Sequence, residues 1–145
     1  MIAEIMDRLS EEVDGLNHVG NVLGFAHLSG NPPPHRLPAA YVVDPGKTSE
    51  PSERLTGHTR QRVTRRVSLL VAIGNIADPE GRAAAVALET LEVAIEAALR
   101  GYTLDAGSTP IVHERTVLLE AAEGVVWRQM DFSYQSWDTA TEVAA

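Results

Sequence analysis

The chain of 145 residues contains no cysteine, a single lysine and only seven aromatic residues. The missing cysteine excludes disulfide frameworks, cysteine–zinc sites, iron–sulfur clusters and thiol nucleophiles. Long apolar runs are missing too. The stretch Ser68 to Ile73 is only strand-length, far short of the ~20 residues of a membrane span. The acidic, amphipathic start from Met1 to Asp14 lacks the basic beginning and apolar centre of a signal peptide. Neither a leader nor a membrane partner is expected.

Motifs for chemistry are also lacking. There is no GxSxG elbow and no GxxxxGK[ST] loop, and Gly20, Gly24 and Gly30 are too widely spaced for GxGxxG. The histidines, His18, His27, His35, His58 and His113, include no pair at i,i+3 or i,i+4 and no HExxH. His27 and His113 fall on predicted strands and are the one pair that folding could bring together. Adjacent carboxylates such as Glu11-Glu12 read as the solvated face of a helix. No catalytic residue, cofactor or metal site is expected, and no repeat or low-complexity tract occurs.

What is present is an ordinary globular composition, 44% hydrophobic and 22% charged. A 15.6 kDa chain buries roughly 68% of its unfolded surface, on the order of 15,000 Å², so one domain with a real core is expected. The net charge of −8 disfavours general binding to nucleic acid or anionic membranes. Eleven of the twelve basic residues are arginine, which reads first as a GC-rich genome.

Ile2, Ile5, Leu9, Val13 and Leu16 recur at helical spacing and predict a helix over residues 2–16, ended near Gly15. Asn21–Leu28 and Ala39–Val43 read as short strands around the Gly30-Asn31-Pro32-Pro33-Pro34 break. Residues 46–60 have no periodicity, the mark of a functional or disordered loop. Gln61–Asn75 alternates as a strand, with Val63, Val67, Leu69, Val71 and Ile73 on one side. Asp78-Pro79-Glu80 is a helix start, and that helix runs through Arg100 to a C-cap at Gly101. Ile111–Ala121 and Val125–Trp137 form a hairpin around Ala122-Glu123-Gly124. The expected fold is α+β and two-layered: a mostly antiparallel or mixed sheet of about five strands, two helices on one face, in the order α-β-β-β-α-β-β. Residues 1–138 form the domain and 139–145 a flexible tail.

Two surface features stand out. Arg54, Arg60, Arg62, Arg65 and Arg66 lie in a stretch that has no Asp or Glu from Arg54 to Asn75. On a strand, Arg60, Arg62 and Arg66 face one way and Arg65 the other. Phosphate contact, salt bridges to an acidic neighbour and a solvated strand end all fit. Among the aromatics of the last strand, Trp127 and Trp137 are odd-numbered while Phe132 and Tyr134 are even, so at least one large ring faces away from the helices.

Several of these pieces recur together in a known family. The amphipathic first helix is followed by Ala39-Ala40-Tyr41-Val42-Val43 with Pro45, then Gln61-Arg62-Val63 leading into Val67-Ser68-Leu69-Leu70-Val71 and Asn75. Asp78 and Gly81 open the second helix, which ends Ala98-Leu99-Arg100-Gly101-Tyr102, and the hairpin carries Gly124-Val125-Val126-Trp127 and Phe132. In this order and over nearly the whole chain, the sequence resembles the tail terminator (tail completion) proteins of long-tailed bacteriophages and related prophages. It departs from them at Tyr102, where tryptophan is frequent, and at Val126, where a second aromatic is common.

The resemblance implies a structural virion protein, not an enzyme and without a cofactor, acting at the head-proximal end of the tail after assembly in the host cytoplasm. It implies a hexameric ring of identical subunits that ends tube polymerisation and meets the head-completion (neck) protein, with DNA passing through the lumen. The interface residues expected on this basis are Arg54, Arg60, Arg62, Arg65 and Arg66, meeting Glu89, Glu92, Glu96 or Glu11 and Glu12 of a neighbour, together with Trp127 and Trp137. Other readings are a different neck or head–tail joining subunit, a nucleic-acid-binding accessory protein, and an enzyme whose site is assembled across subunits.

Overall fold

The structure, a computed structural model, describes residues 1–26, 30, 32–54, 57–74, 82–122 and 124–140. The elements in order are α1 (Ile2–Glu12), β1 (His18–Asn21), α2 (Val22–Ala26), a 3-10 turn (Pro34–Arg36), β2 (Ala39–Val43), β3 (Lys47–Ser49), β4 (Thr59–Gly74), α3 (Arg82–Leu99), β5 (Val112–Ala122) and β6 (Val125–Ala140). Six strands form one sheet in the order β1-β2-β4-β6-β5, with β3 also paired to β4. Only the β1–β2 pair is parallel. The α+β class and the mixed sheet under helices are therefore as the sequence pattern indicates, with one more strand and one more helix than expected.

The differences have local causes. Val13 leaves helical geometry (φ −114°, ψ 100°), so α1 stops before the predicted end near Gly15. Its side chain stays buried, so the core keeps the contact without the last helical turn. The predicted strand Asn21–Leu28 is instead the end of β1 followed by α2. Asn21 Oδ1 accepts a hydrogen bond from the Gly24 N–H at 3.1 Å, a side-chain cap that turns the backbone into a helix. The predicted aperiodic loop over 46–60 contains β3. All three β3 side chains are exposed, so no apolar pattern could announce it. The cap at Asp78-Pro79-Glu80, together with Asn75, Gly81, His27 and Glu123, lies outside the described residues. Thr139 and Ala140, expected in the tail, still pair with Arg60 and Thr59, and residues 141–145 lie outside the described residues.

Pro45 and Gly46 divide β2 from β3, which follow one another along the same edge of β4. Gly46 has φ 119°, open to glycine at little cost, and its N–H donates to Asp44 Oδ1 at 2.9 Å. At the other end of the sheet Gly124, with φ 76°, turns β5 into β6, which resume pairing at Ala122 and Val125.

The main core lies between the sheet and the pair α1 and α3. Ile5, Leu9, Leu91, Ile95 and Leu99 pack on Val67, Leu69, Val71, Met130 and Phe132. Each such fully buried side chain contributes about 1.5–3 kcal/mol. A smaller cluster of Leu37, Ala39, Tyr41, Ala72, Val125 and Trp127 covers one end of the opposite face. Phe25 of α2 sits on it, edge-on to Tyr41 at 5.7 Å and to Trp127 at 5.7 Å. So Phe132 and Tyr134 face the helices while Trp127 faces away.

Gly20 backs onto that second cluster. A Cβ there would stand 2.8 Å from Tyr41 Cδ1 and 2.9 Å from Cε1, and the Tyr41 ring is itself hemmed in by His18, Phe25 and Trp127. Gly20→Ala should therefore lower stability by about 1–3 kcal/mol, read as a lower urea midpoint with an unchanged slope.

Candidate interaction surface

From β4 the helix-packed core takes only Val67, Leu69 and Val71, and from β6 only Met130, Phe132 and Tyr134. Both strands have 16 residues, roughly 50 Å when extended. Residues 59–66 and 135–140, with β3 alongside, therefore run past that core as a ribbon. The arginines sit on it. Arg62 stands opposite Trp137 and Arg66 opposite Ser133, so Arg60, Arg62, Arg66 and Trp137 share the open face, while Arg65 stands opposite Tyr134 on the helix side.

The indole of Trp137 lies under two guanidinium groups. Arg60 Cζ is 4.2 Å and Arg62 Cζ 4.9 Å from the ring centroid, a cation–π arrangement that contributes about 0.5–1 kcal/mol at exposed sites. Arg66 Nη1 donates to Thr48 Oγ1 at 3.1 Å. On the other side Arg65 Nη2 is 3.8 Å and Lys47 Nζ 3.5 Å from the Asp138 carboxylate; such solvated pairs contribute about 0–1 kcal/mol. Arg54 is exposed in the loop before β4.

The acidic residues expected to meet these arginines divide into two groups. Glu92 is 3.3 Å from Arg128 and Glu96 is 3.4 Å from His113, both within the chain. Glu12 is 3.6 Å from Arg8. Glu11 and Glu89 are exposed. None of them meets the arginine ribbon of its own subunit. Of the two tryptophans, Trp137 joins the arginines and Trp127 belongs to the apolar end.

The open face is thus graded along its length. At the turn end, Val22, Leu23 and Phe25 of α2 leave large apolar surfaces exposed. Burial, and then the nearby Arg36 charge, push the His18 imidazole below its ordinary range. In the middle, Asp131 anchors a polar network. Its Oδ1 accepts from Ser68 Oγ at 2.6 Å and Gln129 Nε2 at 2.8 Å, and its Oδ2 from Arg115 Nε at 2.6 Å. Burial alone raises the Asp131 carboxyl, but these three hydrogen bonds and the guanidinium charge outweigh it and hold the group below the usual carboxylate range. The sequence reading missed this network. The only signal was a serine inside the apolar run of β4, whose partner is set by cross-strand register.

Among the described residues no three His, Asp or Glu side chains could together hold a metal ion. An open groove of about 480 Å³ beside the ribbon is lined by Arg65, Asp105, Tyr134, Trp137 and Asp138, among others.

Fold and surface together present a two-layer α+β subunit with a cationic ribbon and an apolar end on its open face. The phage tail terminator protein family matches residues 2–137, and the chain belongs to that family. It is a structural virion protein of phage tail assembly, and it is on this membership that we assign it no catalytic activity. A search of curated proteins finds no match. Among solved structures, a chain of the virion of a native gene transfer agent particle is similar in fold, with a TM-score of 0.54 at 15% identity, covering 94% of this chain and 98% of that one.

The depressed pKa of Asp131 fixes the sign of an acid effect. A carboxyl whose folded pKa lies below its unfolded value stabilises the fold above about pH 4, and that contribution disappears as the pH falls through the folded value. Asp131→Asn should cost about 1–3 kcal/mol at pH 7. It should also narrow the stability difference between pH 7 and pH 3, measured by urea unfolding at both.

Proposed function

We propose that this protein caps the head-proximal end of the phage tail tube as a ring of identical subunits, the hexamer that the sequence resemblance implies, ending tube polymerisation and offering a surface to the head-completion protein. The observation that carries the reading is the family match over nearly the whole chain, residues 2–137. The graded open face supports it. A subunit that joins tube to neck needs two chemically different ends, and this one has an apolar end around Leu23 and Phe25 and a cationic end around Arg60, Arg62 and Arg66. The similarity in fold to a chain of a gene transfer agent virion is consistent with a virion subunit. Arg54, Arg65, Glu89 and Trp137 belong to the proposed contacts with neighbours, and DNA passes through the lumen as cargo.

Adding the chain in small molar amounts to polymerising tail tube protein should stop growth and leave a cap at one end of tubes of defined length, seen by negative-stain imaging. Tubes that grow to uncontrolled length with no cap would remove the terminator reading.

A further inference from the structure

Two surfaces of the subunit each carry mostly charge of one sign, although Glu50 and Glu53 run beside the ribbon, their N–H groups donating to the Arg62 and Arg60 carbonyls. On the ribbon, no carboxylate among the described residues comes within ion-pair range of Arg60, Arg62 or Arg66. Their contacts are the Trp137 ring and the Thr48 hydroxyl. On α1, Glu4, Asp7 and Glu11 recur at i, i+3 and i+7 and are all exposed, and Asp14 extends the stripe past the helix end. The last turn of α1 has no basic residue, although this end of a helix is its negative pole. Arg8 is already engaged, with Glu12 at 3.6 Å, the Tyr102 ring at 4.4 Å and the Ala98 carbonyl at 2.9 Å.

Each surface offers what the other lacks. Glu4 to Glu11 covers about 10 Å of helix axis, which Asp14 lengthens, and Arg60 to Arg66 about 20 Å of strand. The two lie on opposite faces of the sheet, since α1 packs with Val67, Leu69 and Phe132 while the arginines share the face of Trp137. They cannot close on each other within one chain.

We propose that the α1 stripe of one copy docks on the arginine face of a second copy of this chain. The proposal rests on the ring reading above and specifies the contact that closes it. Each copy uses its ribbon toward one neighbour and its α1 toward the other, the heterologous geometry that generates rings. Trp137 is a positioning residue that holds two guanidinium groups toward the partner. The partner stripe is α1 rather than α3, because Glu92 and Glu96 are paired inside the subunit and leave α3 only Glu89 of the three expected acidic residues, against the exposed carboxylates Glu4, Asp7 and Glu11 on α1. A nucleic acid would also suit the arginines, but it gives α1 no role, and the net charge of −8 opposes it.

Two charge-reversal variants test the contact, Arg60→Glu with Arg62→Glu on the ribbon and Asp7→Arg with Glu11→Arg on α1. Both should keep the circular dichroism of the wild type. Each alone should assemble at least about tenfold more weakly than the wild type, read by light scattering with and without tube protein. Mixed in equal amounts they should recover assembly, because every junction then joins opposite charges: wild-type ribbon to wild-type α1, and acidic ribbon to basic α1. Wild-type-like assembly of either variant alone, or a mixture that stays dissociated, would overturn the contact. So would a ribbon variant that still assembles but loses binding to a fluorescent DNA duplex, which would assign the arginines to nucleic acid. In those cases a wild-type chain that still caps tubes leaves the proposed function standing. A wild-type chain that forms no ring with or without tube protein removes both.

Discussion

Sixteen consecutive residue pairs join β4 to β6, from Thr59 opposite Ala140 to Gly74 opposite Val125, and the rest of the subunit is arranged around that ladder. Its register decides which side chains meet the helices. Val67 stands opposite Phe132 and Leu69 opposite Met130 on the helix side; Ser68 stands opposite Asp131 and Ala72 opposite Trp127 on the other. Because side chains alternate along a strand, a slip of one residue would send Phe132 and Met130 to the open face and bury Asp131 under α3. The core residues on one side and the Asp131 hydrogen bonds on the other therefore enforce the same pairing.

The same ladder explains why the ribbon exists at all. The helices cover only part of two 16-residue strands, and the remainder is stabilised by main-chain pairing and by β3 along one edge. Along the ribbon, cross-strand side-chain pairs add to that main-chain pairing. Arg62 stands directly across from Trp137, so one contact both supports the ribbon and fixes where its charge points. The free edge of the sheet is protected differently. β5 breaks register between His113 and Arg115 and again between Leu118 and Glu120, and such irregularities discourage a further strand from adding there.

Elements with a strong apolar period were legible in the sequence. The alternation Val63, Val67, Leu69, Val71 needs only a two-residue period, and the structure places these residues in buried positions on β4. The face shared by Leu88, Leu91, Ile95 and Ala98 on α3 was equally plain. What failed was local and polar. Asn21 caps α2 through one hydrogen bond, and β3 has no buried side chain, so neither left a hydrophobic trace. The surface was half legible. Strand periodicity separated Arg65 from Arg60, Arg62 and Arg66, and put Trp127 opposite to Phe132. The Trp137 stack, the Asp131 network and the inward pairing of Glu92 and Glu96 each depend on residues brought together from distant segments, which no short window of sequence contains.

The distribution of charge also bears on how such a subunit avoids the wrong assemblies. Solvated ion pairs add little affinity but set orientation and exclude mismatched partners. A face with Arg60, Arg62 and Arg66 repels its own copy, and so does the α1 face with Glu4, Asp7 and Glu11. Neither face can form a two-fold, like-with-like contact without desolvating charges of one sign. The proposed ribbon-to-helix contact is then the arrangement in which both repulsions are relieved together, and it is directional. Directional contacts of this kind close when the rotation per subunit divides a full turn, which would give a finite ring with its apolar ends, around Leu23 and Phe25, repeated on one rim. Electrostatics would set the count and direction of the ring, and apolar area would supply its grip on the next component of the tail.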